Sequence, residues 1–349
     1  MFRCAYRYSG ARLTKSIAGL RVSDRSIQAL WYVGVGRAEL RPESAPAPAP
    51  AEVRVRALFG AISRGTERLV FQGRVPPSQY QRMRAPQMAG AFPYPAKYGY
   101  ATVGRVEQGP PELQDRIVFA LHPHQSIFTV AADCVMPVPD QVPPARAVLA
   151  ANMETALNAL WDGAPGPADH IAVVGGGVVG LLVARLCARM PGATVTVVDV
   201  AASRSEIAQA LGAGFAAPAA APPDCDLVFH ASGTAAGLAT ALRLAGEEAT
   251  IVELSWYGEG DVAVPLGEAF HSRRLRVVSS QVGQVAGSHR LRWSRARRLA
   301  AALDLLADPV LDGLLAPAVP FESLPERLPE ILGSQTDARC PLIRYPGAA

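Results

Sequence analysis

The sequence predicts an α/β protein in two parts: a small β-barrel-like domain, then a doubly wound parallel sheet. Three observations carry that prediction. Residues 28–110 read as short alternating strands separated by turns, the pattern of a compact antiparallel domain. From residue 170 onward, apolar strands and helical stretches alternate, the signature of a parallel sheet covered by helices. Between them, His170 to Asp199 contains a strand, a glycine-rich turn, a helix and a second strand in close succession.

In the first part, Leu30–Val33 and Ala38–Arg41 form a hairpin pattern, followed by a Pro-Ala loop over 45–50. Val53–Phe59 and Thr102–Glu107 read as strands, and the stretch Ala147–Trp161, rich in Ala, Leu and Met, reads as a helix. Beyond the glycine-rich turn, strands are expected at Asp226–His230, Thr250–Leu254 and Arg276–Ser280. Helices are expected at Ile207–Leu211, Ala235–Ala245 and Leu299–Leu306. The Arg-rich run 290–298 has helical spacing and reads as an exposed face.

The turn after Ile171–Val174 is the most informative segment. Gly175, Gly177 and Gly180 have G-x-G-x-x-G spacing, with Val178 and Val179 as further cofactor-binding candidates, and an apolar helix is expected over Leu181–Met190. The first glycine permits the tight turn, the second lets backbone approach a pyrophosphate, and the third lets helix and strand pack closely. The helix start offers free N–H groups and the positive end of a dipole to phosphate. Asp199 ends the second strand, where a carboxylate accepts hydrogen bonds from ribose hydroxyls and repels a 2′-phosphate. NAD is therefore expected in preference to NADP. Arg204 could welcome a phosphate or stack beside adenine.

Composition bounds the rest. The chain has 349 residues, half of them apolar and 18% charged, with a net charge of +4. That is ample for two packed cores. The charge comes from arginine, with Lys15 and Lys97 the only lysines, and makes no nucleic-acid footprint. No apolar run approaches the ~20 residues of a membrane span. Cys4, Cys134, Cys187, Cys225 and Cys340 are scattered without a C-x-x-C pair, which argues against a disulfide framework and suits a reducing cytoplasm. Residues 1–27 are basic, with a short apolar patch at Ile17–Leu20. They are expected to be a flexible extension.

From residue 28 onward the chain resembles the medium-chain dehydrogenase/reductase superfamily. The resemblance rests on Glu52–Val55, Tyr98–Val106, the Gly175–Asp199 fingerprint, Asp226–Gly233 and Thr250–Ser255. The run Ile62–Arg68 is similar to a zinc-less branch that includes bacteriochlorophyllide dehydrogenases. The resemblance implies a GroES-like domain over 28–155, a Rossmann domain over 156–294, and a segment 295–349 completing the first. It also implies a homodimer joined near Arg276–Gly283 and an interdomain substrate cleft.

Matched to the family's catalytic zinc ligands, this chain has Ser63, Tyr100 and Ala151, and none is a normal zinc ligand. No zinc and no other metal is expected. Hydride transfer without a Lewis acid needs other groups for the hydroxyl proton, and Ser63, Thr66, Tyr100 and His122 are the candidates. The plainer alternatives are that Thr66 caps a short helix, Tyr100 fills the space of a metal, and Glu67 pairs with Arg68. His122 and His124 could instead bind an unusual metal with Glu154. Thr155 matches a cofactor-touching position and Arg64 could reach the pyrophosphate.

The implied function is zinc-independent, NAD-linked oxidation or reduction of an alcohol/carbonyl pair in a small molecule. The alternatives are an NADPH-linked enone or quinone reductase, and a dinucleotide-binding scaffold or sensor without turnover.

Overall fold

The computed structural model describes residues 27–333 and 339–348. The expected N-terminal extension thus lies, except for Ile27, outside the described residues. The chain divides into two compact units. Among the described residues, one comprises 27–148, 317–333 and 341–348, the other 149–316 and 339–340.

The first unit is built on antiparallel strands. Its elements are β1 (Gln28–Gly34), β2 (Arg37–Pro42), β3 (Glu52–Ala61), α1 (Arg64–Phe71), β4 (Ala89–Gly90), β5 (Ala96–Lys97), β6 (Thr102–Gln108), β7 (Ile117–Ala120), β8 (Ile127–Ala131), β9 (Val135–Pro137) and α2 (Pro144–Ala147). Alternation of apolar and polar residues in Glu-Val-Arg-Val-Arg makes β3 a strand with one buried face: Val53 and Val55 are fully buried, together with Val106, Val118 and Phe128. β3 is the hub, pairing antiparallel with both β6 and β8.

The second unit runs α3 (Ala150–Gly163), β10 (His170–Val174), α4 (Val178–Ala188), β11 (Thr194–Val198), α5 (Ser205–Ala210), β12 (Gly214–Ala216), β13 (Cys225–His230), α6 (Ala235–Leu244), β14 (Ala245–Glu253), α7 (Ala269–Ser272), β15 (Arg276–Ser279) and α8 (Arg295–Leu305). Among the described residues its strands form one parallel sheet in the order β12-β11-β10-β13-β14-β15. Strand order reverses at β10, between β11 on one side and β13 on the other, and such a reversal opens a crevice beyond the strands' carboxyl ends. The inner stretches 171–174 of β10 and 227–229 of β13 are apolar and buried because both faces are covered.

The chain then returns to the first unit through β16 (Val319–Pro320), α9 (Leu324–Ile331) and β17 (Leu342–Arg344), and β17 pairs antiparallel with β3 at Leu342↔Ala61. The expected α/β class is the one observed.

Three expectations need correction. The first-domain boundary at 155 cuts through α3, which lies whole in the second unit. The final boundary at 295 is also displaced, because α8 remains in the second unit and the return begins only at Pro317. The third concerns the Arg-rich run, which is exposed or half-buried through Arg297 but ends in a buried Arg298. It is 1% exposed and its guanidinium donates to Glu154 Oε1 at 3.0 Å, to Asn158 Oδ1, and to the carbonyls of Val282 and Gln284. Buried guanidinium paired and saturated in this way locks α8 onto α3. Burial raises the Glu154 carboxyl, and Arg298 opposes that rise.

Cys187, Cys225 and Cys340 are free and buried, while Cys134 departs from the expected thiol state and is disulfide-bonded. No helix among the described residues is long and apolar enough to cross a membrane.

Candidate functional site

In the second unit, the turn between β10 and α4 sits at the strand-order reversal. Gly175 has φ +110°, and a Cβ there would meet Ser232 N at 2.6 Å, so only glycine makes this turn against the end of β13. A Cβ on Gly180 would lie 2.0 Å from the Gly175 carbonyl oxygen, which accounts for the close seating of α4 on β10. Gly177 differs from both. It has an ordinary φ of −79° as the N-cap of α4, and a Cβ there would meet nothing within 4 Å. The fold itself thus has no need of glycine at 177, but a ligand approaching the backbone does. Next to it, Val178 and Val179 are half-buried in the first turn of α4, where N–H groups lack an intrahelical acceptor.

Asp199 closes the other side of the turn. Its Oδ2 accepts the Gly176 N–H at 2.7 Å and its Oδ1 the Ala201 N–H at 2.9 Å. Arg204 bends back over the same turn, donating from Nη1 to the Gly176 carbonyl at 2.6 Å and placing Nε 3.6 Å from Asp199 Oδ1. One carboxylate, one guanidinium and the glycine loop are therefore a single preorganised unit. These contacts hold Arg204 at the loop, rather than leaving it extended to meet a phosphate. Thr155, in α3, donates its hydroxyl to the Ala151 carbonyl one turn back at 2.9 Å.

In the first unit, Ser63 lies against a buried carboxylate, Glu67, which the family resemblance matches to an acid beside the metal. Glu67 is 0% exposed. Its Oε1 accepts the Ser63 N–H at 2.8 Å, and its Oε2 accepts Tyr32 Oη–H at 2.6 Å and His124 Nε2–H at 2.9 Å. The expected Glu67–Arg68 pair does not form, because Arg68 donates to the carbonyls of Leu332 and Gly333. Arg64 likewise donates to the Ile331 carbonyl at 3.1 Å. The amphipathic α1 packs its Glu67, Leu69, Val70 and Phe71 inward, which is why an acid ends up inside.

Burial, with the Glu67 charge beside it, pushes the Tyr32 phenol well above its ordinary range. His124 is fully buried, and its Nδ1 has no hydrogen-bond partner. Ser63 precedes α1 as its N-cap residue without a side-chain capping bond, and Thr66 is half-buried one residue before Glu67. Tyr100 packs edge-on against Tyr98 at 6.1 Å. The structure therefore joins Ser63 to Glu67 directly and sets Thr66 beside it in the chain.

His122 does not join this group as a catalyst. Its ring stacks on Phe128 at 3.8 Å and its Nδ1–H donates to the Pro123 carbonyl at 2.8 Å. Burial drives its pKa down to about 3, so it is a neutral packing residue near pH 7, a poor base and no acid. Of the two histidines, the carboxylate pairs with His124.

The residues around the turn fit a dinucleotide: the loop leaves room at Gly177, with Asp199 beside it. By contrast, no cluster of three or more His, Cys, Asp or Glu side chains among the described residues could hold a metal. Glu154, once a metal-ligand candidate with the histidines, is paired with Arg298 at 3.0 Å.

The chain matches no known family model and no curated protein, but its fold is shared with solved dehydrogenases. A proposed zinc-binding dehydrogenase from Sinorhizobium meliloti 1021, bound to NADP, superposes with TM-score 0.71 at 18% identity. An alcohol dehydrogenase from Thermus sp. ATN1 gives 0.69 at 19%, and a short chain alcohol dehydrogenase from E. coli CFT073, complexed with NADH, gives 0.72 at 17%. Each match covers 91% of this chain and 99% of the other.

Proposed function

We propose that this chain is a zinc-independent, NAD-preferring oxidoreductase of the medium-chain type, acting on an alcohol/carbonyl pair in a small molecule. The observation that carries the reading is the fingerprint loop: open at Gly177, closed at Gly175 and Gly180, and braced by Asp199. The α4 N-terminus would hold the pyrophosphate through its free N–H groups. Asp199, already fixed by two backbone N–H groups, would bind the adenosine ribose and disfavour a 2′-phosphate. Bound nicotinamide supplies the hydride chemistry.

The hydroxyls of Ser63, Thr66 and Tyr100 are assigned to the substrate's proton, with Glu67 and His124 behind them as the buried charge that orients Ser63. His122 receives no role. A homodimer along β15 belongs to the same reading, since β15 is the edge strand of its sheet. The three free buried cysteines fit a cytoplasmic setting, and the Cys134 disulfide weighs against it.

The test is calorimetric titration of NADH and NADPH, with elemental analysis of the purified chain and a turnover screen over ketones, alcohols and enones. Tighter NADH binding, absence of zinc and ketone or alcohol turnover are expected. Stoichiometric zinc, or no dinucleotide binding, overturns the reading. Binding without turnover identifies a sensor instead, and enone turnover with NADPH a reductase of activated double bonds.

A further inference from the structure

A second constellation of polar residues lies at the carboxyl ends of β13 and β14. His230 is fully buried at the end of β13. Its Nδ1 is 2.7 Å from Glu253 Oε2 on the neighbouring strand, and its Nε2 is 2.7 Å from Ser232 Oγ. The strand register enforces this, because His230 and Glu253 are direct partners in the parallel pairing.

The direction of each bond follows from chemistry. Glu253 also accepts the Ser255 N–H at 2.6 Å and the Tyr257 hydroxyl at 3.0 Å. Burial alone would raise its carboxyl, but the hydrogen bonds from His230 and Ser255 outweigh this, and its pKa lies below the ordinary value. An ionised carboxylate only accepts, so Nδ1 carries the proton. With Nδ1–H given to Glu253, the Ser232 hydroxyl, 2.7 Å from Nε2, is placed to donate to that nitrogen. Thr234 accepts the Gly237 N–H and lies 3.0 Å from Ser232 Oγ. The chain thus runs one way, from Thr234 through Ser232 and His230 to Glu253. Gly237 is required for it: a Cβ there would lie 2.0 Å from Ser232 Oγ and 2.7 Å from His230 Nε2.

The end of this chain is open. Ser232 is half-buried, and residues 233–236 beside it are exposed and small. The first-turn N–H groups of α6 at Ala235 and Ala236 have no intrahelical acceptor. A hydroxyl bonded to an imidazole that is itself bonded to a carboxylate is the geometry of an activated nucleophile, whatever the fold that bears it.

We propose that Ser232 is a nucleophile, His230 its base and Glu253 the positioning residue of a hydrolytic site for small uncharged carboxylic esters. Ser232 Oγ bonds to the carbonyl carbon as its proton passes to His230 Nε2, and N–H groups of Ala235 and Ala236 face the developing oxyanion. The carbon–alkoxy bond then breaks, and His230 returns the proton to the leaving alcohol. Water attacks the acyl-Ser232 ester, gives a proton to His230, and releases the carboxylic acid as Ser232 recovers its own.

The full chain is incubated with a fluorophosphonate probe, digested and mapped by mass spectrometry, and assayed in parallel for hydrolysis of p-nitrophenyl acetate. One adduct at Ser232 is expected. Ser232→Ala should abolish the adduct and the ester turnover, and His230→Gln should slow labelling by about a hundredfold or more. Removing the negative charge in Glu253→Gln should move the pH midpoint of labelling downward, because the imidazolium loses its stabilising partner. An adduct elsewhere or none in the folded parent chain overturns the proposal, as does equal labelling in His230→Gln or an unmoved midpoint in Glu253→Gln. Because the first readout needs no variant, a poorly folding mutant does not decide the matter.

Discussion

Replacing Gly177 and Gly180 separately by alanine distinguishes a ligand-binding turn from one that merely packs. At Gly180 the new methyl would sit 2.0 Å from the Gly175 carbonyl oxygen, so α4 must move off β10. A distortion of that kind in a packed element costs about 1–3 kcal/mol, or roughly 2–4 °C in Tm per kcal/mol for a domain of this size. At Gly177 the methyl meets nothing within 4 Å and φ is −79°. An alanine N-cap is poorer than glycine by some tenths of a kcal/mol, but reduced freedom of the unfolded chain returns a similar amount. Gly177→Ala should therefore melt within a few degrees of the parent. If pyrophosphate packs on this backbone, the same methyl blocks it. Loss of one or two charge-assisted hydrogen bonds, about 1.5–3 kcal/mol each, weakens NADH by about one to four orders of magnitude. Differential scanning fluorimetry and NADH titration by fluorescence read the two quantities. Unchanged NADH affinity in Gly177→Ala would refute the argument, as would a melting loss matching that of Gly180→Ala.

Three further outcomes are expected. Glu67→Leu strands the Ser63 N–H, the Tyr32 hydroxyl and His124 Nε2 inside the first unit, and should lose about 3 kcal/mol or more in urea unfolding; a loss under about 1 kcal/mol contradicts the buried network. His122, held at about pH 3 by burial, binds its proton later than the unfolded chain does. Its contribution is therefore complete above about pH 6.5 and falls as pH drops toward 3, by up to ~1.4 kcal/mol per pH unit. His122→Phe should flatten that slope, and an unaltered acid-unfolding curve counts against it. Asp199→Ala removes the brace on Gly176 and the repulsion of a 2′-phosphate. The NADPH-to-NADH affinity ratio should rise about tenfold or more, and a ratio that stays fixed or falls denies Asp199 the selecting role.

The second unit's glycine-rich loop was legible because its information is local. Strand, glycines, helix, strand and acid follow within thirty positions or so, and β10, α4 and β11 form close to where periodicity places them. The buried charges were not legible, for the opposite reason. Glu67 stands next to Arg68 in the sequence, which suggests an exposed pair, and only the inward turn of α1 reveals Tyr32 and His124 as its partners. Arg298 lies in an arginine-rich run typical of a solvated helix, while its partners Glu154 and Asn158 belong to a distant helix. The Ser232–His230–Glu253 relay depends on strand register, which joins two segments that look like ordinary strand ends. His122 and His124 looked alike in the sequence; Phe128 stacking on one and Glu67 bonding to the other set them apart.

The pairing of β17 with β3 has a consequence for how the molecule is made. Translation delivers the whole alternating helix–strand unit, through Arg298, before it delivers Leu342 to Arg344. Domains generally fold as units while the ribosome is still at work, so the later-synthesised unit can close first. The edge of β3 that receives β17 must wait, bare, through most of elongation. Exposed strand edges invite wrong partners, and this nascent chain should therefore depend on chaperones most heavily in that interval.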